Sequence, residues 1–145
     1  MKYIVLLMLT IGALSSCTQA KKADTSEPAK IVEKFFQTYN KGPAEAVRSL
    51  LPTNKYIYGP VSDSVAIKLQ RLAAELDDFQ GYEKIGEKSY GDGIVYLVYI
   101  VKYSRQPLRF NFTFYNPGNG WRIQNFRYET EFLDEMDATL RPDKL

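Results

Sequence analysis

One thiol, eleven phenols and no imidazole bound the chemistry open to this chain. Histidine is the side chain that ordinarily exchanges a proton near neutral pH. Without it, Ser–His and Cys–His nucleophiles, His-ligated metals and imidazole acid–base steps are excluded. No glycine-rich phosphate loop is present, because the glycines sit at turns. The adjacent carboxylates Asp77 and Asp78 supply too few ligands for a metal, and a solvated helix end explains them. Two groups of residues remain. One is the single thiol, Cys17. The other is an aromatic set, Phe36, Tyr39, Tyr99, Phe112, Phe126 and Tyr128 with Gln124, which either lines a ligand pocket or fills a core. A buried Gln124 amide would need partners. These residue types assign no catalytic group, cofactor or metal.

The segment around Cys17 has an order of its own. Met1-Lys2 places one positive charge before an apolar run from Tyr3 to Leu14. A membrane-spanning helix needs about 20 apolar residues, so this run is short for one. It has the pattern of a secretory signal. Leu14-Ser15-Ser16-Cys17 resembles the lipobox of bacterial lipoproteins, which reads Leu or Val, then Ser, Ala or Thr, then Gly, Ala or Ser, then Cys. The resemblance implies diacylglycerol on the Cys17 thiol, cleavage before Cys17 and acylation of the new amino group. An ordinary signal peptide and an uncleaved anchor are the alternatives. A lone exported thiol would otherwise stay unpaired in an oxidising compartment, and lipidation removes that liability. Two or three acyl chains hold a protein on a membrane where one does not. Residues 1–16 are then signal peptide and 17–27 a polar, flexible lipidated tether. Thr18, not Asp, follows the cysteine. By resemblance to enteric lipoproteins this points to the outer membrane, and Lys21 and Lys22 favour its periplasmic side.

What remains is one domain's worth of chain, 28–132, with a polar tail, 133–145. The net charge of +2 over 145 residues gives no dense cationic face, so nucleic acid is not an expected partner.

The periodicity of the domain changes once. Ile31, Val32, Phe35, Phe36 and Tyr39 make a helical apolar stripe over residues 27–40, with Ser26 as cap. Pro43 opens a short second helix that Pro52 ends. A third spans Ser62 to Phe79, although acidic residues crowd its far end against the helix dipole. From Gly81 the period is two. Tyr82–Tyr90, Ile94–Tyr103, Leu108–Tyr115 and Trp121–Phe132 read as four strands of an antiparallel meander joined by short Gly, Pro and Asn turns. The fold class is therefore α+β, with N-terminal helices packed on a curved four-stranded antiparallel sheet.

If every turn closes symmetrically, Tyr99 pairs with Phe112, Val101 with Phe110, Phe110 with Phe126 and Phe112 with Gln124. The helix-facing side then carries Val95, Leu97, Tyr99, Val101, Phe110, Phe112, Phe114, Phe126 and Tyr128, with Glu83 and Glu87 on the first strand. The outer side carries Tyr82, Lys84, Lys88, Tyr96, Val98, Ile100, Lys102, Arg109, Asn111, Tyr115, Trp121, Ile123 and Arg127. One bulge would exchange part of these lists.

Gly120-Trp121-Arg122-Ile123-Gln124-Asn125-Phe126, after Val32-Glu33-Lys34-Phe35-Phe36 and Tyr39-Asn40-Lys41-Gly42, resembles the nuclear transport factor two-like superfamily. That resemblance implies a cone-shaped α+β domain; a cystatin-like sheet wrapped on one helix is the alternative. It implies no activity, since the superfamily includes isomerases, cyclases, dehydratases and domains that only bind. Its His–Asp pair has no counterpart here. The leading expectation is a lipid-anchored envelope protein whose non-enzymatic domain binds a small apolar ligand or an envelope protein. The alternative is a His-independent isomerase or cyclase using Tyr and Glu in the cone. The resemblance also implies a homodimer through the outer sheet face. That face could instead dock an anionic lipid, a glycan or another protein through Lys84, Lys88, Lys102, Arg109 and Arg127.

Overall fold

In a computed structural model, which describes residues 23–57 and 59–139, the apolar stripe of the first helix lies against the sheet. Cys17 and the rest of the anchor segment lie outside the described residues. Helix α1, Ser26–Tyr39, buries Pro28, Val32, Phe35, Phe36 and Tyr39. Thr25, not Ser26, stands at the cap position and makes no side-chain cap bond, while the backbone N–H of Ser26 donates to Asp24 Oδ1 at 2.9 Å. That bond lowers the Asp24 pKa. Helix α2, Pro43–Leu50, has Pro43 in its first turn and runs into one 3₁₀ turn, Leu51–Thr53. Helix α3, Gly59–Glu75, starts and stops earlier than its periodicity predicts. Asp77 takes a left-handed φ of 64°, which breaks the helix where its acidic end opposed the dipole. Phe79 is released to the sheet.

The strands are β1 Phe79–Tyr90, β2 Ile94–Tyr103, β3 Leu108–Tyr115 and β4 Arg122–Glu129. They form one antiparallel sheet in sequence order, with β1 and β4 as its edges. The fold is α+β as expected: helices, then a curved, unclosed four-stranded sheet. β2 and β3 have the predicted bounds.

The register differs from symmetric closure for identifiable reasons. Tyr99 pairs with Phe110 and Val101 with Leu108, a shift of two that preserves the faces. Tyr103, at the end of β2, pairs instead with Phe79. Between β3 and β4, two one-residue shifts add. Asn116 Oδ1 accepts the N–H groups of Gly118 and Gly120, and both glycines have positive φ. This turn delivers Arg122, not Trp121, opposite Tyr115. A bulge at Gln124 then adds the second residue, so Phe112 pairs with Phe126 and Phe110 with Tyr128. Phe126 and Tyr128 keep their predicted side because the shifts cancel in parity. Ile123 does not: it is fully buried beneath the helices, and Gln124 is exposed.

A second bulge, at Ile85 in β1, lies between the pairs Lys84–Tyr99 and Gly86–Val98. It turns Tyr82 and Lys84 to the helix-facing side and Glu83 to the outer side, reversing their predicted placement. Glu87 and Lys88 stay where expected.

The polar tail contains a helix, α4, Leu133–Thr139. Just before it, Phe132 is 1% exposed and lies under the Arg109 guanidinium, 5.5 Å from ring centre to Cζ. Arg109 also binds Glu129 and Glu135. Part of the outer face is thus covered by the chain's own C-terminal segment.

Candidate functional site

The aromatic set gathers where α1 crosses the sheet. Phe35, Phe36 and Tyr39 occupy successive positions on the buried stripe of α1, and alternate residues of β2, β3 and β4 rise to meet them. Phe36 touches Tyr99, Phe110 and Phe112 with ring centres 5.3 to 6.1 Å apart. Phe112 meets Phe126 at 5.1 Å and Phe35 at 5.3 Å. At the β1 edge, Tyr82 stacks flat on Phe36 at 3.8 Å. Phe36, Tyr39 and Phe112 are 1%, 2% and 0% exposed. These separations are contact distances, so the rings pack on one another instead of around a space. Of the predicted pocket residues, six are brought together: Phe36, Tyr39, Tyr99, Phe112, Phe126 and Tyr128. Gln124 is not, because the bulge carries it out to solvent.

The phenols in this core keep their protons. Tyr39 and Tyr103 hydroxyls hydrogen-bond each other at the floor of the cluster. Burial raises the Tyr39 pKa well above that of a free phenol, and the Tyr103 hydroxyl adds to the effect. Burial also raises Tyr103, opposed by its bond to Tyr39. Tyr99 is pushed up to about 12, first by burial and then by the nearby Tyr82, Glu87 and Glu33. Tyr128 is raised by burial alone.

The carboxylates expected to serve a Tyr–Glu mechanism separate. Glu83 faces outward, its side chain 67% exposed, and meets Lys102 at 3.5 Å. Glu87 stays on the helix-facing side near Tyr99 and holds Lys84 Nζ at 2.7 Å. Asp77 points toward Arg105 at 3.9 Å. Among the described residues, no group of three or more His, Cys, Asp and Glu could hold a metal.

Space is found at the surface. A groove of about 800 Å³ runs between α1 and the start of β1, lined by Phe36 of the predicted set and by Gln37, Asn40, Lys41, Phe79 and Tyr82. Another, of about 590 Å³, lies where the described chain begins, between Asp24, Asp92, Tyr115 and Trp121.

The cations proposed for docking are mostly engaged. Arg109 is 17% exposed and tied to Glu129 and Glu135, Lys102 meets Glu83, and Lys84 has turned to the other side. Lys88 lies over the Tyr90 ring at 5.0 Å. Tyr96 donates to Asn111 Oδ1 at 3.0 Å, which explains how Asn111 tolerates burial.

Two features escaped sequence reasoning. Arg122 lies between the Tyr56 and Tyr115 rings, 5.1 and 5.4 Å from their centres. The 3₁₀ turn also closes part of the β4 edge. Thr53 Oγ1 accepts the Ile123 N–H at 3.2 Å, and Asn54 Nδ2 donates to the Ile123 carbonyl at 2.8 Å. The Leu-Pro-Thr-Asn stretch marked that turn, but nothing in it named its partner.

No protein-family model, no curated protein and no solved structure matches this chain, so the fold and its surfaces alone carry the functional reading.

Proposed function

We propose that this is a lipid-anchored protein of the bacterial cell envelope whose folded domain works by binding another protein, without catalysis. The anchor rests on Leu14-Ser15-Ser16-Cys17, and Thr18 with Lys21 and Lys22 favours the outer membrane, facing the periplasm. The arrangement of helices on an open antiparallel sheet is compatible with the nuclear transport factor two-like cone. The observation that carries the binding role is the filled interior. Ring-to-ring contact across α1, β2, β3 and β4 leaves the aromatic set as core, which removes the main support for a small apolar ligand. Recognition then falls to the outer surface. Its half-buried Tyr96, Val98 and Ile100 form the apolar strip between the Arg109 cluster and β1.

A second reading, the His-independent isomerase or cyclase, is favoured by one observation: Glu87 and Tyr99 share the helix-facing side near the β1 edge. Against it, Glu87 is held by Lys84, and a rate-enhancing carboxylate would need an enclosed site.

Cys17→Ser tests the anchor. The variant is expected to lose both metabolic lipid labelling and sedimentation with membranes, while the wild type keeps both. Normal labelling of Cys17→Ser would end the lipoprotein reading.

A further inference from the structure

The two edges of the sheet are finished differently. At β4, Thr53 and Asn54 cap the backbone of Ile123, and the chain then turns across the outer face. Among the described residues no strand lies beside the free edge of β1, which is 12 residues long. An open strand edge is a template for another strand, and proteins commonly block it with like charges, proline or a bulge. β1 contains no proline, and its charges are of both signs: Glu83-Lys84-Ile85-Gly86-Glu87-Lys88.

That order is self-complementary. Laid antiparallel on a second copy about a two-fold axis between Ile85 and Gly86, Glu83 meets Lys88 and Lys84 meets Glu87, each twice by symmetry. Cross-strand pairs of opposite charge stabilise a sheet. The large exposed side chains meet glycines in the same register: Ile85, 47% exposed, opposes Gly86, and Tyr90, 54% exposed, opposes Gly81. Tyr82 opposes Ser89.

The bulge makes this register sterically consistent. Every pair in it joins an odd residue to an even one. In a regular strand such residues lie on opposite faces and could not pair. The extra residue at Ile85 resets the alternation. Lys84 and Glu87 then share the helix-facing side, opposite Tyr99 and Leu97, while Glu83 and Lys88 share the outer side, opposite Ile100 and Tyr96. Tyr82 and Ser89, opposite Val101 and Val95, also agree. A device that usually spoils an edge here permits one self-pairing. The internal contacts of Glu83 with Lys102 and of Glu87 with Lys84 are exposed ion pairs of small net worth, and the partner's lysines can share them.

We infer that the β1 edge binds a second copy of this chain, pairing Gly81–Tyr90 antiparallel with its equivalent to make a continuous eight-stranded sheet. This interface is distinct from the outer sheet face. The ten paired residues span about 33 Å at roughly 3.3 Å per residue.

Charge swaps in the full chain, held in mild detergent, test the register by light scattering over a dilution series. The wild type is expected to dimerise. E83K/E87K leaves only lysines along the seam and should weaken the dimer roughly 30-fold or more, since four attractive pairs become repulsive. The quadruple variant E83K/K84E/E87K/K88E restores every opposite pair with the signs exchanged, and should restore the dimer. All four substituted positions are exposed, so circular dichroism should stay native. A monomeric wild type, a dimer indifferent to E83K/E87K, or a quadruple variant that stays as weak as the double would each overturn the inference.

Discussion

Phe36→Ala costs this domain about 3–5 kcal/mol of unfolding free energy, as expected when a fully buried aromatic ring is cut back to a methyl group. Phe36 is 1% exposed and touches rings on its own helix and on all of β1, β2 and β3. The cost has two parts: the transfer free energy of the lost ring atoms and the cavity they leave. Phe36→Leu keeps most of the volume and should cost far less. Total stability of a domain this size is about 5–15 kcal/mol, so Phe36→Ala leaves it marginal at best. Urea denaturation followed by tryptophan fluorescence from Trp121 measures both variants. The result also bears on function. Were the aromatic set the wall of an open chamber, one face of the ring would already lack neighbours and its removal would cost correspondingly less.

Alkali should unfold the protein over a defined window. Tyr39, Tyr99 and Tyr103 all have folded-state pKa values raised by burial. In the unfolded chain each loses its proton near pH 10. Above that pH the folded state holds more protons than the unfolded one, so stability falls as pH rises. The contribution is fully present below about pH 10. For Tyr99 it is exhausted as the pH passes its folded value of about 12. Each phenol adds up to about 1.4 kcal/mol per pH unit to the slope while the two states differ in protonation. Denaturation midpoints should therefore be flat from neutral pH to about pH 10 and then drop steeply. Ionisation of Tyr39 and Tyr103, followed by their own ring resonances because other tyrosines such as Tyr56 and Tyr90 are exposed, should come with unfolding and not before it. Gradual ionisation of Tyr39 and Tyr103 in a folded protein would show that solvent reaches the floor of the cluster.

Much of the architecture was legible because it depends on period and punctuation. The apolar stripe Val32, Phe35, Phe36, Tyr39 set α1, and Gly91-Asp92-Gly93 and Pro107 bracket β2 and the start of β3. What failed were single-residue irregularities. Asp77 in the left-handed region ended α3 early, a choice Asp tolerates but does not demand. The bulge at Ile85 exchanged Tyr82, Glu83 and Lys84 between faces, and the one-residue shift at the Asn116 turn exchanged Ile123 before the bulge at Gln124 reset the alternation. Gly86 in mid-strand was a signal for the first, since glycine inside a strand often marks a bulge. Gln124 has no such signal beside it. Its bulge is supported from a distance by Thr53 and Asn54 on Ile123, about 70 residues away in the chain. The burial of Phe132 under Arg109 was hidden for a similar reason, because it depends on a polar tail folding back across the sheet.

The candidate site shows the same division. Six of seven residues converge: Phe36 and Tyr39 on the buried stripe of α1, and Tyr99, Phe112, Phe126 and Tyr128 because their strand parity survived both errors in register. The seventh, Gln124, was the polar group whose burial would have argued for a ligand, and it lies in solvent. A pocket and a core differ by the free space between rings. That is a matter of ångströms in packing, which residue types alone do not set.

Native mass spectrometry of the full chain, purified gently from membranes, tests the central claim that this domain acts through its surfaces and not through a hollow interior. The predicted spectrum contains the polypeptide with its covalent lipid, as one or two copies, and no further mass removed by denaturation. A reproducible small molecule of fixed stoichiometry, lost when the protein unfolds, would contradict it and place a ligand among the aromatic residues.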